Sequence, residues 1–133
     1  MVQPDDLAVS AVVVRPSRDF ERLVDRVFAM GRTYGGDRPY ANGAFKGKRA
    51  MLALTTGGPV PAYLKGSFNG DIHAILRPIQ RGMLQFVGFE LLAPQIAYGP
   101  VRLDQGQRTE LLAAYAERLK NIAGEQPFEV GIY

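Results

Sequence analysis

The amino-acid sequence predicts an α/β domain whose strands form a mainly parallel sheet. Residues 7–14 are apolar on both faces, as expected of a strand covered by helices on each side, residues 49–55 are predicted to be a second buried strand, and residues 89–98 a third strand. Segments with the 3.6-residue period of an amphipathic helix lie between and after them. Because strands and helices alternate along the 133 residues, we expect one domain with about three parallel strands.

The first predicted helix lies between residues that stop a strand and residues that end a helix. Pro16 ends the strand segment, Ser17 can cap the helix, and Gly31 is placed to terminate it. The apolar positions between them have i, i+3, i+4, i+7 spacing and comprise Phe20, Leu23, Val24, Val27 and Phe28.

Two further helices are predicted. One covers residues 71–86 and contains Pro78, which lacks an N–H donor and should kink it. The other begins after Asp104 as its cap and ends at Gly124. Its apolar stripe comprises Leu111, Leu112, Tyr115, Leu119 and Ile122. Residues 125–133 are expected to be irregular.

The segments between these elements are long for a small domain. Residues 32–48 and 56–70 show no periodicity, and loops of that length are uncommon unless they have a function. Pro94 falls inside the third strand segment, where it should mark a sheet edge or a bulge.

Composition excludes several functional classes. The absence of cysteine excludes disulfides, thiolate metal sites and cysteine nucleophiles. The one histidine, His73, has no second ligand at metal-binding spacing and is expected to be exposed, so no metal site is predicted. The net charge of +3 comes without a basic cluster interleaved with aromatics, so nucleic-acid binding is not expected. Short apolar runs and an acidic beginning argue against membrane insertion and a signal peptide, which predicts a cytoplasmic protein.

A glycine-containing loop follows the second predicted strand. Thr55 and Thr56 end that strand, Gly57 and Gly58 follow, and Tyr63 comes shortly after. Ligands of open parallel sheets bind beyond the carboxyl ends of the strands, where this TTGG loop (residues 55–58) is expected. The glycines would let a flat ligand approach the backbone, whose N–H groups could donate hydrogen bonds. A strand followed by a flexible turn is the alternative interpretation.

Several motifs occur in a fixed order: DRVF, GKRA, TTGG, NGD, PIQ and GF. With these motifs, residues 19–122 resemble the flavodoxin-like NAD(P)H:quinone oxidoreductases, which include the bacterial modulators of drug activity. The resemblance implies a truncated flavodoxin-like three-layer fold. It also implies FAD or FMN as cofactor, NAD(P)H as co-substrate and a quinone-type acceptor.

The resemblance implies roles for residues around the TTGG loop. In relatives, this loop lies against the isoalloxazine ring, and Tyr63 matches a tyrosine near the pyrimidine edge of the flavin. A phenol there would stabilise the negative charge that hydride transfer creates. Asn69 occupies a position where some relatives have a histidine of a proton relay. An amide can form hydrogen bonds but cannot take up a proton.

Three further residues match family positions. Arg108 matches an arginine near the flavin, with a solvated helix charge as the alternative. Tyr34 matches an aromatic residue that reaches the partner subunit's active site, which implies a homodimer. Phe86 matches an aromatic residue of the substrate pocket, with core packing as the alternative because it lies on the apolar stripe of its helix.

The resemblance lacks one part of the family pattern. Relatives begin with a strand, a phosphate-binding loop and a helix, and then a second strand–helix unit, none of which precedes residues 7–14 here. Without those neighbours, this strand would expose an unpaired edge, which predicts pairing with another chain. A non-catalytic ancillary or regulatory protein that has lost flavin binding is therefore the alternative to the enzyme, and an inactive gene fragment is a third possibility.

Overall fold

The parallel sheet is built around one central strand. The computed structural model describes residues 6–12, 18–28, 32–37 and 39–131. Strand β2 (Arg49–Thr56) pairs in parallel with β1 (Asp6–Val12) on one side. On its other side it pairs in parallel with β3 (Glu90–Leu91) and β4 (Gln95–Tyr98). The prediction of an α/β fold with a parallel sheet is confirmed, and β1 lies at an edge of the sheet.

The third predicted strand is interrupted: β3 and β4 both pair with β2 on the same side, with a break between them. Ala50 pairs with Leu91, and Ala53 pairs with Gln95. Between these two pairs, the segment that contains β3 and β4 has one residue more than β2. This is a bulge, and Pro94 lies in it because its ring nitrogen cannot donate to the ladder. The placement predicted for Pro94 is therefore confirmed.

The second predicted helix changes its geometry after the proline. An α-helix, α2 (Ile72–Ile79), is followed by a π-helix over Gln80–Gln85. Asp71 caps α2, since its carboxylate accepts a hydrogen bond from the His73 N–H at 2.9 Å. Pro78 removes one i→i−4 donor, and the wider turn begins directly after it. The kink expected at Pro78 therefore takes the form of a change from an α-helix to a π-helix.

The other two helices lie on opposite faces of the sheet. Helix α1 (Arg18–Val27) is followed by Phe28, which packs against the same core cluster as α2. Ser17, Gly31 and residues 13–14 lie outside the described residues. The second face carries α3 (Gln105–Asn121), whose N-terminus has a capping box formed by Asp104 and Gln107.

Successive side chains of β2 point to opposite faces of the sheet and pack into two separate cores. The fold therefore has three layers, with helices on each face of the sheet, as predicted. Leu52 and Leu54 point into the cluster that contains Leu76 and Leu84 of the helical segment. Met51 points to the opposite face, into a cluster formed by Leu92 and Ile122, with Tyr115 and Leu119 packed against it.

The predicted stripe of α3 needs one correction. Leu112 has 70% of its surface exposed, because it lies off the side of α3 that packs against Met51. The segment after Gly124 is irregular up to residue 131, as expected, and the Phe128 N–H donates to the Leu91 carbonyl at 2.6 Å.

Candidate functional site

The TTGG loop begins where two strands end side by side. Thr56 is in register with Tyr98, so β2 and β4 deliver their last residues to the same edge of the sheet. The Gly99 N–H donates to the Thr56 carbonyl at 3.0 Å and to the Thr56 hydroxyl at 3.3 Å. The position of the loop beyond the carboxyl ends is the one that ligands of open parallel sheets use.

Thr56 shapes the loop from inside. It is buried, and its hydroxyl donates to the Gly58 carbonyl at 2.8 Å. The hydroxyl therefore fixes the path of the two glycines, and it faces the protein interior.

The outer side of the loop is bare backbone. Thr55 and Gly57 are exposed, and a Cβ added to Gly57 would meet no atom of the described residues within 4 Å. Gly99 has a left-handed φ of 54°, and a Cβ there would lie 3.4 Å from the Gly58 carbonyl oxygen. The loop thus presents an unobstructed backbone outward, while its inner side is packed.

Two predicted polar side chains flank this backbone. A Cβ on Gly58 would lie 3.4 Å from the ring of Tyr63 and 3.6 Å from the amide nitrogen of Asn69. Tyr63 ends a 3-10 turn (Val60–Tyr63) and is buried. The backbone N–H of Asn69 donates to the Ala62 carbonyl at 2.9 Å. We call the TTGG loop together with Tyr63 and Asn69 the cradle.

Tyr98 supports the cradle from behind, and the sequence did not single it out. Its ring centroid lies 6.0 Å from that of Tyr63, with the planes tilted by 52°. Burial raises the pKa of the Tyr98 phenol, and the negative charges of Asp71 and of an ionised Tyr63 raise it further. The turn signal Tyr-Gly-Pro, with Gly99 after the strand, is the sequence feature that could have drawn attention to this corner.

Arg108 links helix α3 to the turn after β4. Its Nε donates to the Pro100 carbonyl at 3.1 Å and its Nη2 to the Val101 carbonyl at 3.3 Å. The side chain is exposed at the same edge of the sheet as Gly99. Its role toward a flavin stays a prediction.

The other two predicted residues lie elsewhere. Tyr34 and Phe86 have ring centroids 5.9 Å apart, and Tyr40 meets Phe86 edge-on at 5.6 Å. We call these three residues the aromatic cluster. Phe86 precedes the amino end of β3, whereas the cradle follows the carboxyl end of β2. Since β2 has eight residues, the two regions are separated by roughly 25 Å of strand.

The aromatic cluster borders a groove between α1 and the π-helix. The groove has a volume of about 380 Å³, and its lining includes Tyr34 and Phe86 together with Val24, Asp25 and Met83. Phe86 is half-buried, so it contributes both to packing and to the wall of the groove. Tyr40 has a φ of 52°, an uncommon conformation for a residue with a Cβ, and Arg81 lies 3.8 Å above its ring.

The remaining sequence expectations concern metals and membranes. His73 is exposed, as predicted, and its ring lies 5.8 Å from that of Phe128. No group of three or more His, Cys, Asp or Glu residues that could hold a metal ion occurs in the described residues. Within residues 6–12, 18–28, 32–37 and 39–131, every helix is too short or too polar to span a bilayer.

Known proteins match most of this chain. A family model described as the flavodoxin-like fold matches residues 19–122. A ribosyldihydronicotinamide dehydrogenase (quinone) from Rattus norvegicus is 42% identical over 104 residues, which are 78% of this chain and 45% of that protein. An NAD(P)H dehydrogenase (quinone) 1 from Cavia porcellus is 43% identical over 103 residues, which are 77% of this chain and 38% of that protein.

The fold also matches solved structures. A Klebsiella pneumoniae protein described as a quinone reductase superposes with a TM-score of 0.81 at 34% identity. The match covers 92% of this chain and 51% of that protein. The chain thus spans about half the length of the proteins it matches.

Proposed function

The chain belongs to the family of the flavodoxin-like fold, and from this premise we propose that it is the flavin-facing part of a quinone oxidoreductase. The observation that carries the proposal is the bare backbone at Gly57, beyond the carboxyl end of β2. A planar ring can approach such a backbone closely, because no Cβ stands in the way.

The residues of the cradle fit a flavin. No side chain of the described residues lies within 4 Å of a Cβ built on Gly57, and a backbone N–H at this loop could donate to a ring oxygen or nitrogen atom. Tyr63 and Asn69 add a phenol and an amide next to Gly58. The donor set therefore suits a flat, electron-rich acceptor of hydrogen bonds, and Arg108 adds a positive charge at the same edge.

The bound cofactor, FAD or FMN, would supply hydride acceptance at N5 and transfer of two electrons to a quinone, which takes up two protons to become a hydroquinone. The chain orients the ring and stabilises the negative charge that develops on it. Tyr63 donates its phenolic hydrogen bond for this purpose. Asn69 can orient the ring through hydrogen bonds, but an amide cannot take up a proton at neutral pH.

The electron donor is the point on which the relatives differ. One is named for a ribosyldihydronicotinamide and the other for NAD(P)H. Both donors carry the same dihydronicotinamide ring, and they differ in the phosphates and adenine attached to it. We propose NAD(P)H as the donor, and a comparison of the two donors tests it.

A second copy of the chain completes the proposed site. Tyr34 and Phe86 lie at the opposite end of the sheet from their own cradle, so they cannot cover a ring bound there. In a homodimer, these rings would reach the cradle of the partner and form one wall of the quinone pocket. The outer edge of β1, which pairs with nothing among the described residues, is a second surface through which the chain could pair with another strand.

The experiment is flavin binding followed by reduction. The protein is titrated into FMN and FAD, and quenching of flavin fluorescence gives the dissociation constant. The complex is then mixed without oxygen with NADPH, NADH or dihydronicotinamide riboside, and bleaching of the yellow colour gives the rate. Addition of a quinone should restore the colour. Bleaching by dithionite serves as the positive control.

The outcomes separate the candidate functions. Bound flavin that bleaches with a dihydronicotinamide and recovers with a quinone supports the enzyme. Folded protein that stays colourless contradicts it and favours the non-catalytic, ancillary alternative. Tyr63→Phe should slow bleaching without removing the flavin, and an unchanged rate would exclude Tyr63 from the reaction. The cytoplasmic location stays a prediction.

A further inference from the structure

We propose that Tyr98 is a positioning residue for Tyr63: its ring, held at the end of β4, fixes the phenol of Tyr63 at the rim of the cradle. This inference rests on the proposed function as far as flavin is concerned. Tyr98 does not border the exposed backbone of the TTGG loop, and it would act through Tyr63.

The first observation is the register of the sheet. Tyr98 pairs with Thr56, and the next residue, Gly99, donates hydrogen bonds to both the carbonyl and the hydroxyl of Thr56. The end of β4 is therefore tied to the same residue that shapes the TTGG loop. A side chain at position 98 has its location set by backbone pairing, which is a rigid support.

The second observation is the contact between the two rings. Their centroids lie 6.0 Å apart at an angle of 52°, which is within the range of favourable tilted aromatic pairs. The ring of Tyr63 is buried, whereas the short turn that carries it contains exposed residues such as Val60. A turn with an exposed neighbour and a buried tyrosine depends on the surface against which the tyrosine packs.

The third observation is electrostatic. Burial and the charges of Asp71 and of an ionised Tyr63 raise the pKa of the Tyr98 phenol, so this phenol keeps its proton at higher pH than usual. The influence of an ionised Tyr63 agrees with the short distance between the two rings. Glu110 of α3 lines the same cleft as Tyr98.

The main test is a double-mutant cycle on flavin affinity. Tyr98→Leu removes the ring, and Tyr98→Phe retains it. We expect Tyr98→Leu to weaken FMN or FAD binding about fivefold and Tyr98→Phe to restore affinity to within about twofold of wild type. In a Tyr63→Phe background, Tyr98→Leu should change the affinity less than about twofold, because the phenol that it positions is already gone.

A matched control separates positioning from general stability. Tyr115→Leu makes the same substitution at a half-buried tyrosine of α3 that packs against the opposite core. It should leave flavin affinity within about twofold of wild type. An equal loss of affinity from Tyr98→Leu in both backgrounds, or from Tyr115→Leu, would overturn the proposal.

A second measurement does not need flavin. Near-ultraviolet absorbance follows ionisation of tyrosines in the flavin-free protein, and the difference between proteins with and without the Tyr98→Phe substitution isolates this one phenol. An ionised Tyr63 repels the Tyr98 phenolate, so Tyr63→Phe should let Tyr98 ionise at lower pH, while Asp71 and Glu110 are unchanged. An unmoved titration would show that the two phenols are not close enough to interact. If the wild-type protein takes up no flavin, the proposed function fails, and this titration alone decides whether Tyr98 positions Tyr63.

Discussion

The cradle and the aromatic cluster are built from different parts of the polypeptide. The cradle is mostly backbone, shaped by one internal hydroxyl and two hydrogen bonds from Gly99, and its outer side carries no side-chain cover at Gly57. The aromatic cluster consists of side chains, three rings that pack against each other beside a groove. A bare backbone suits a flat ring that must be approached closely, whereas rings suit the apolar surface of a quinone.

The difference also concerns how each region is fixed. The carboxyl ends of the strands fix the cradle, while the aromatic cluster depends on the loop before β2 packing against the π-helix. There the Tyr40 N–H donates to the Phe86 carbonyl at 2.9 Å, and the Phe45 N–H donates to the Val87 carbonyl at 3.0 Å. A change in one region should therefore leave the other intact.

The largest effect is expected where the loop touches the π-helix. A Cβ on Gly43 would overlap the backbone of Val87 and Gly88, so Gly43→Ala must separate the two segments. We expect it to lower the free energy of unfolding by about 3 kcal/mol or more, as measured by urea denaturation. Gly82→Ala is the matched control. Its added methyl would meet nothing within 4 Å, so stability should stay within about 1 kcal/mol of wild type.

A smaller effect is expected inside the cradle. Thr56→Val keeps the shape of the buried side chain but leaves the Gly58 carbonyl without its donor, which should cost about 1–3 kcal/mol. Thr55→Val, at the exposed neighbouring position, should change stability by less than about 0.5 kcal/mol. Urea denaturation gives both values. Equal losses in the two variants would mean that the hydroxyl of Thr56 does not shape the loop.

The sequence was sufficient to place the cradle in the fold, but it did not predict that the aromatic cluster lies far from the cradle. The rule that ligands bind at the carboxyl ends of strands placed the TTGG loop, and the resemblance added Tyr63 and Asn69. The resemblance also assigned roles to Tyr34 and Phe86, but their distance from the cradle depends on the direction in which α2 and the π-helix run along the sheet. That direction is a property of the fold and has no local signal.

Two other features had the same limitation. Pro94 signalled an interruption of the third strand, but the extra residue in the ladder is visible only when both strands are paired. Tyr98 looked like one more apolar strand residue, because its contact with Tyr63 joins residues that are far apart in sequence.

Phe86 gives the most direct test of independence. Phe86→Leu keeps an apolar side chain but removes the ring contacts with Tyr34 and Tyr40, which should lower the free energy of unfolding by about 1 kcal/mol. The affinity for FMN or FAD, measured by fluorescence quenching, should not change for a single chain that binds flavin at its cradle. The KM for a quinone should rise if a second copy delivers this ring to the site. A loss of flavin affinity in Phe86→Leu would show that the cradle depends on the aromatic cluster.

The smallest effect is expected at the bulge, the part of the chain that joins the two regions. Arg118 of α3 donates to the Ala93 carbonyl at 2.7 Å, to Gln95 at 2.9 Å and to Glu125 at 2.7 Å, so it holds the segment between β3 and β4. The hydrogen bond from Arg118 lowers the pKa of Glu125, against a smaller opposing effect of burial. Since the folded pKa lies below the unfolded value of about 4.3, the stabilisation is complete above that value and disappears as the pH falls through the folded pKa.

We therefore expect the wild-type protein to lose about 0.2–1 kcal/mol more stability on acidification than Glu125→Gln, in urea denaturation series at pH 7 and below pH 4. Glu117→Gln is the control, because the Glu117–Lys120 pair is exposed and touches neither strand, so its acid dependence should follow that of the wild type. The same series in the presence of flavin asks whether the bulge connects the regions mechanically. Acid that weakens flavin binding in the wild type but not in Glu125→Gln would mean that the cradle depends on the contacts of Arg118. The cradle would then be coupled to the rest of the chain through β4.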